Sequence, residues 1–491
     1  MRKNFAKLLA AGLAASMMMS GCGGSTTGTQ PAPAAPSPAE AGTPAEKPQN
    51  EEKPQNGEKP ENGEKPEGGK GKNGESRPEG GKGGPGGMPG GAPGQSAKDI
   101  EYTAVYAPAD NVTTTNGEYT STGTDEEAIL VDGDITVTVK DTKVIRSSAD
   151  STGGDASSFY GVGAAVLGKG GTTYLKNLTI DTDARGGAGV FAYDDGVVYV
   201  ADTEIATKQG TSGGIHAAGG GTLYAWDVTA ETDGGSSAAI RSDRGGGTMV
   251  VDGGSYTSNG NGSPAIYSTA DITVSNAKLT SNLSEGVCIE GLNSITLNDC
   301  DLTASNTQRN GNATFLDSIM IYQSMSGDAA SGTSHFTMTG GSLTSKSGHV
   351  FHVTNTNAVI TLEGVEIVNE DADNILLSVC ADGWTGGSNT AALKAADQKL
   401  SGAVKVGSDS SLTLELTDAS AFEGSIDGSI FNADGEMVSA DTGTVSVTLD
   451  SSSTWTLTGD SYVTEFSGDA ANVISNGFTL YVSGTPLTGT K

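Results

Sequence analysis

Eight times between Thr173 and Ile367 one short pattern returns: an apolar residue (Thr once), an outward residue, a second apolar residue, then Asn, Asp or Gly two positions on. The segments are TYLKNLTI from Thr173, VYVADTEI from Val198, LYAWDVTA from Leu223, MVVDGGSY from Met249, ITVSNAKL from Ile272, ITLNDCDL from Ile295, FTMTGGSL from Phe336 and ITLEGVEI from Ile360. A period of about 23 to 26 residues, with one wider gap before Phe336, belongs to a solenoid whose repeats bury a core only by stacking. Alternation on either side of a residue that tolerates a left-handed backbone reads as strand, corner, strand. The pattern therefore predicts an all-β chain, a right-handed parallel β-helix of roughly 15 coils.

Aligned coil on coil, the residues fall into columns. One inward column reads Leu175, Val200, Ala225, Val251, Val274, Leu297, Met338 and Leu362, and a second reads Ile180, Ile205, Ala230, Tyr256, Leu279, Leu302, Leu343 and Ile367. Between them runs a corner column of Asn177, Asp202, Asp227, Gly253, Asn276, Asp299, Gly340 and Gly364. A further strand precedes each pair, as in GVFAYDDG, GIHAAGGG and AIRSDRGGG. The stretches 306–318 and 382–398 read as excursions from the coil, and 101–123 and 468–491 as less regular ends that cap its open edges.

Composition divides the chain into a signal peptide (1–22), a disordered tether rich in Pro, Gly, Glu and Lys (23–100) and the β-helix (101–491). Arg2, Lys3 and Lys7 precede a short apolar stretch and then Ser20, Gly21 and Cys22, the layout of an export signal. Met19-Ser20-Gly21-Cys22 resembles the lipobox of bacterial lipoproteins, with Met19 in place of the usual Leu. That resemblance implies lipidation at Cys22 and a protein held on the extracellular face of the cytoplasmic membrane. The tether repeats EKPQNE, EKPQNG, EKPENG and EKPEGG from Glu46 onward and has too few apolar groups to offset its ordering entropy. From Ile100 onward, 48 acidic residues stand against 16 basic ones, a net of −32. Such a surface repels nucleic acid and anionic lipid, while its carboxylates would tolerate Ca2+.

Chemistry-bearing residues gather in two columns. Tyr174, Tyr199 and Tyr224 face outward one coil apart, which makes an aromatic strip able to stack on sugar rings or simply to brace the sheet. A second outward column reads Phe191, His216, Arg241, Tyr267, Cys288 and Met320, with Tyr193, Asp194, Asp195, Asp243 and Arg244 on the adjoining turns. Arg241 and Arg244, with Asp243 and His216, are the weak candidates for a lyase, in which a basic residue removes a proton beside a uronate carboxylate. The bland reading is an Arg/Asp pair that fixes a turn. His335, His349 and His352 show no spacing for a metal or a triad and read as surface residues. Cys288, Cys300 and Cys380 read as unpaired apolar fillers.

The segments SSFYGVGAAVL from Ser157, AAIRSDRGGGT from Ala238, SPAIYSTADITV from Ser263 and IMIYQSMSGDAASGTSHFTMTGGSLTS from Ile319 resemble a group of surface β-helix lipoproteins of anaerobic Gram-positive bacteria, within the pectate-lyase-like superfamily and often labelled adhesin-like. A looser similarity links the fold and Gly-Pro linker to calcium-dependent, polygalacturonate-binding β-helix modules. The resemblance implies a β-helix at the cell surface and maps no functional residue. The β-helix galacturonan hydrolases carry Asn-Thr-Asp, Asp-Asp, Gly-His-Gly and Arg-Ile-Lys on successive coils. Here Asp194-Asp195 matches one element alone, which argues against a hydrolase. The expectation is a non-catalytic adhesin that binds a polysaccharide or a host or bacterial surface glycan through Tyr174, Tyr199, Tyr224, Phe191 and Tyr267. The alternative is an extracellular polysaccharide lyase.

Overall fold

The computed structural model describes residues 100–491. The predicted signal peptide, Cys22 and nearly all of the predicted tether lie outside the described residues.

The described chain winds as a parallel β-helix, with three strands to a coil. One straight sheet stacks thirteen parallel strands, from Ala104–Tyr106 to Ile426–Asp427, close to the number of coils expected. A second sheet of 22 strands bends at the corner column and supplies the other two walls. The strand Thr172–Ala184 runs through that corner without a break. Registers match the columns read from the repeats: Leu175 pairs with Val200 and Val200 with Ala225, while Ile180 pairs with Ile205 and Ile205 with Ala230. The whole first inward column is fully buried, and so is the second apart from half-buried Ile367.

Every corner residue named above adopts a positive φ, from 49° at Asp202 to 78° at Gly253, and Asp141, Asp397 and Asp418 continue the series. Asn and Asp reach this region at small cost, and their side chains then tie coil to coil. Asn177 Nδ2 donates to Asp141 Oδ1 at 2.6 Å. At Gly340 a Cβ would lie 2.3 Å from Asp299 Oδ1, so the aspartate one coil earlier fills the space beside the glycine and would have to turn aside for a larger residue.

The inward residues from Ala128 to Leu480 form one continuous apolar core, and toward its C-terminal end Trp455 stacks on Phe422 at 5.6 Å and donates its indole N–H to the Gly424 carbonyl. Near the C-terminal end, Leu480–Val482 pairs antiparallel with Thr485–Pro486, a break in the parallel pattern that blunts the open edge. The N-terminal end differs from expectation. Segment 101–123 is no irregular cap, because Ala104–Tyr106, Val112–Thr115 and Glu118–Ser121 make a regular first coil paired to the second. The excursion expected over 382–398 is also shorter, since Asn389–Ala396 is a full strand of the bent sheet. Among the described residues the α-helical structure is one short piece, Asp155–Tyr160, ended by Gly161 at φ 78°.

Candidate functional site

The aromatic strip forms as its spacing predicts. In-register pairing places Tyr174 beside Tyr199 and Tyr199 beside Tyr224, with ring centroids 4.9 and 5.0 Å apart and planes within 18° and 13° of parallel. Trp226 extends the platform. It lies two residues past Tyr224 on the same outward side, 6.0 Å from that ring and 6.3 Å from Tyr199, its plane within 5° of parallel to the latter. The alternation that exposes Tyr224 also exposes Trp226, so the sequence carried the signal for it. All four rings are half-exposed. Partial burial and the neighbouring rings Tyr174 and Tyr224 raise the Tyr199 phenol above its ordinary pKa, so the central ring is uncharged at neutral pH. Lys176 and Lys140 sit on the strand positions level with Trp226, two and three coils back.

The second outward column points away from the core of the straight sheet as expected, yet it is covered. Pairing aligns Leu130, Leu167, Phe191, His216, Arg241 and Tyr267, then Cys288, Met320, His352, Ser378, Lys405 and Asp427. The short helix and the excursions of later coils lie over it. Phe191 is fully buried in a small apolar cluster with Leu167, Tyr193 and Ala218, so it offers no open face to a ligand. His216 is buried against it, ring centroids 4.1 Å apart, with neither ring nitrogen hydrogen-bonded. Burial, aided by the adjacent Arg241 charge, holds its pKa well below the ordinary value, so the ring is neutral.

Arg241 is a buried clamp. Its guanidinium donates to Asp243 Oδ2 at 2.7 and 3.2 Å, to Ser158 Oγ on the helix at 2.9 Å and to the Ser236 carbonyl at 2.7 Å. Burial raises the Asp243 carboxyl to about 6 despite the guanidinium beside it. Arg244 donates to Asp328 Oδ1 at 2.6 and 2.8 Å and lies 4.1 Å over the Phe159 ring, which pins the 323–332 segment to the helix. Asp194 and Asp195 are exposed. Tyr267 donates to Glu290 Oε2 at 2.7 Å, and the same oxygen accepts from Tyr322 at 3.3 Å. Ser324 donates to the other oxygen of that carboxylate.

Two sequence expectations fail on this face. Cys288 is no apolar filler: it sits against Glu285, near Asp317, and burial among those carboxylates drives its thiol pKa well above the ordinary value. His349 and His352 are buried rather than surface residues, while His335 is exposed. Both buried imidazoles place Nδ1 2.7 Å from Ser378 Oγ, and His352 Nε2 lies 3.4 Å from Asp382 Oδ2. One hydroxyl gives a single proton, so one ring accepts from Ser378 and the other donates to it. Asp382 accepts from Thr314 N, Thr314 Oγ1 and Gly383 N at 2.7–2.8 Å, and the nearby His352 ring with the bonds from Thr314 holds its pKa below the usual value against the cost of burial. Phe315 covers both rings, at 4.8 and 5.4 Å. These are the residue types of a nucleophile and its base. Sealed as they are, they fasten the 307–316 and 381–388 segments to the coil. The signal was out of reach because the partners come from three separate coils.

All three cysteines of the described region are free and buried. Among the described residues no group of three or more His, Cys, Asp or Glu side chains is arranged to hold a metal ion, and no helix is long and apolar enough to cross a membrane. Set against protein-family models, curated proteins and solved structures, the chain matches none.

Proposed function

We propose that this protein is a cell-surface lipoprotein whose β-helix binds a polysaccharide, with Tyr174, Tyr199, Tyr224 and Trp226 as the sugar-contacting platform. The observation that carries the reading is the half-exposed stack of three near-parallel tyrosine rings at 4.9–5.0 Å, extended by a tryptophan whose plane is parallel to theirs. That spacing is commensurate with the rise of an extended sugar chain, and aromatic faces stack on the C–H faces of pyranose rings while hydroxyls at the ring edges stay wet. The lyase alternative loses its best residues. Arg241 and Arg244 are each committed to a carboxylate, so neither is a free base in this conformation.

The test replaces Tyr174, Tyr199 and Tyr224 together with alanine and measures retention on polysaccharides by affinity electrophoresis, beside thermal unfolding. At about 0.5–1.5 kcal/mol per aromatic contact beyond area burial, the loss should reach at least about tenfold in affinity with the solenoid still folded. Unchanged retention of that variant would sink the reading.

A further inference from the structure

We propose that Tyr462 and Tyr481 form a second sugar-stacking platform, for an uncharged polysaccharide, on a different wall of the solenoid from the tyrosine strip. The two residues pair in register between the parallel strands Ser461–Val463 and Leu480–Val482, with ring centroids 5.1 Å apart and planes within 8° of parallel. Their neighbours Ser461, Val463 and Leu480 point into the core, so both phenol rings face out; Tyr462 is 44 % exposed. This is the closest to parallel of the tyrosine pairs among the described residues, one ring stacked over the other, and its spacing repeats that of the strip.

Its place in the fold follows from one hydrogen bond and the order of strands. Ile426 N donates to Ser461 Oγ at 3.1 Å, which sets Ser461–Val463 beyond Ile426–Asp427, the last strand of the straight sheet. The strip instead lies on the bent sheet, near the other end of the stack. One rigid rod therefore carries two aromatic platforms that look in different directions.

Charge selects the occupant. From Val406 to Lys491 the chain holds twelve acidic residues and a single basic one, Lys491 itself. Asp460 and Glu465 flank the first strand of the pair. A polyanion such as a uronate polymer would meet only repulsion there, whereas a neutral pyranose loses nothing. The site stands by itself. Only its consequence rests on the reading of the strip: a protein with both platforms joins two polysaccharide chains, or two stretches of one, and gains avidity from the linkage.

The experiment runs the full chain through gels containing xyloglucan, mixed-linkage β-glucan, galactomannan or starch, with polygalacturonate as the charged comparison. Four proteins are compared: wild type, the strip variant (Tyr174, Tyr199 and Tyr224 to Ala), the pair variant Y462A/Y481A, and the combination of both. The expected result is an uncharged polymer that still retards the strip variant, with retardation falling at least about fivefold in apparent affinity when the pair is also removed. Y462F/Y481F, which keeps the rings, restores it; a merely structural pair would show no such link to binding. Polygalacturonate should be indifferent to the pair. The proposal is overturned if the strip variant migrates identically with and without Tyr462 and Tyr481, or if wild type is retarded by none of the uncharged polymers. Failure of the strip reading shows separately, as a strip variant that binds like wild type.

Discussion

Replacing Arg241 with methionine keeps most of the side chain's volume and removes its charge. The change strands Asp243, which is buried and receives two hydrogen bonds from the guanidinium, and frees the Ser158 hydroxyl and the Ser236 carbonyl. Breaking a buried ion pair on one side costs about 3–5 kcal/mol, most of it the penalty of the unpaired charge. Part of that penalty is escapable, because a protonated carboxyl needs no counter-ion. Even with Arg241 in place burial lifts the Asp243 carboxyl to about 6, above its unfolded value near 3.9, and losing the cation lifts it further. A raised folded pKa means the folded state binds the proton more tightly, so this contribution to stability is present at low pH and is lost as pH rises through about 6. The methionine variant should therefore be less impaired at pH 5 than at pH 8. Because a solenoid unfolds by neighbouring repeats rather than in one step, the measurement is local: amide hydrogen exchange of Asp155–Tyr160 and Ile240–Ser242 at both pH values. Unchanged protection would refute the clamp, and an equal loss at pH 5 and 8 would refute the role given to the Asp243 charge.

Two further outcomes follow, one from the same covered face and one from the lipobox resemblance. Burial first, and the neighbouring His352 second, push His349 down to about 3, so between the unfolded value near 6.5 and about 3 the opened form takes up the proton and the closed form does not. Stability from this group is full above 6.5 and lost as pH falls; segments 307–316 and 381–388 should be cleaved faster at pH 4 than at pH 7 by a protease active at both, and His349→Gln should flatten that difference. Cys22→Ser removes the acyl acceptor that the lipobox resemblance implies, and should release the protein into the medium; retention on the membrane fraction would rule out a lipid anchor at that residue.

The repeating parts of the molecule were legible in the chain and the covered face was not, for a physical reason. Inward and corner columns obey rules local to one coil: alternation decides that Leu297 faces in, and a left-handed corner decides that Asp299 stands where it does. Tyr174, Tyr199 and Tyr224 stack because registers that bury one side of a strand must align the other. The direction of Arg241 and His352 was equally local, and alternation gives it correctly. Their burial was not local, since it depends on where the helix at 155–160 and the excursions at 307–316, 323–332 and 381–388 come to rest, and no period governs those segments. Cys288 is small and apolar by composition, yet lies against Glu285 three residues earlier in the chain and near Asp317.

The described chain begins beside the first coil, and Tyr174 lies on only the third strand of its stack. A pull applied between Ile100 and a sugar chain resting on Tyr174, Tyr199 and Tyr224 is thus borne by the opening few turns of the winding, whose apolar fillers include Val137, Val139 and Val144. The long remainder, through Trp455 to the C-terminal hairpin, carries no load. Mechanical failure would start at that proximal edge, peeling strand from strand, while the far end keeps its shape and whatever it holds.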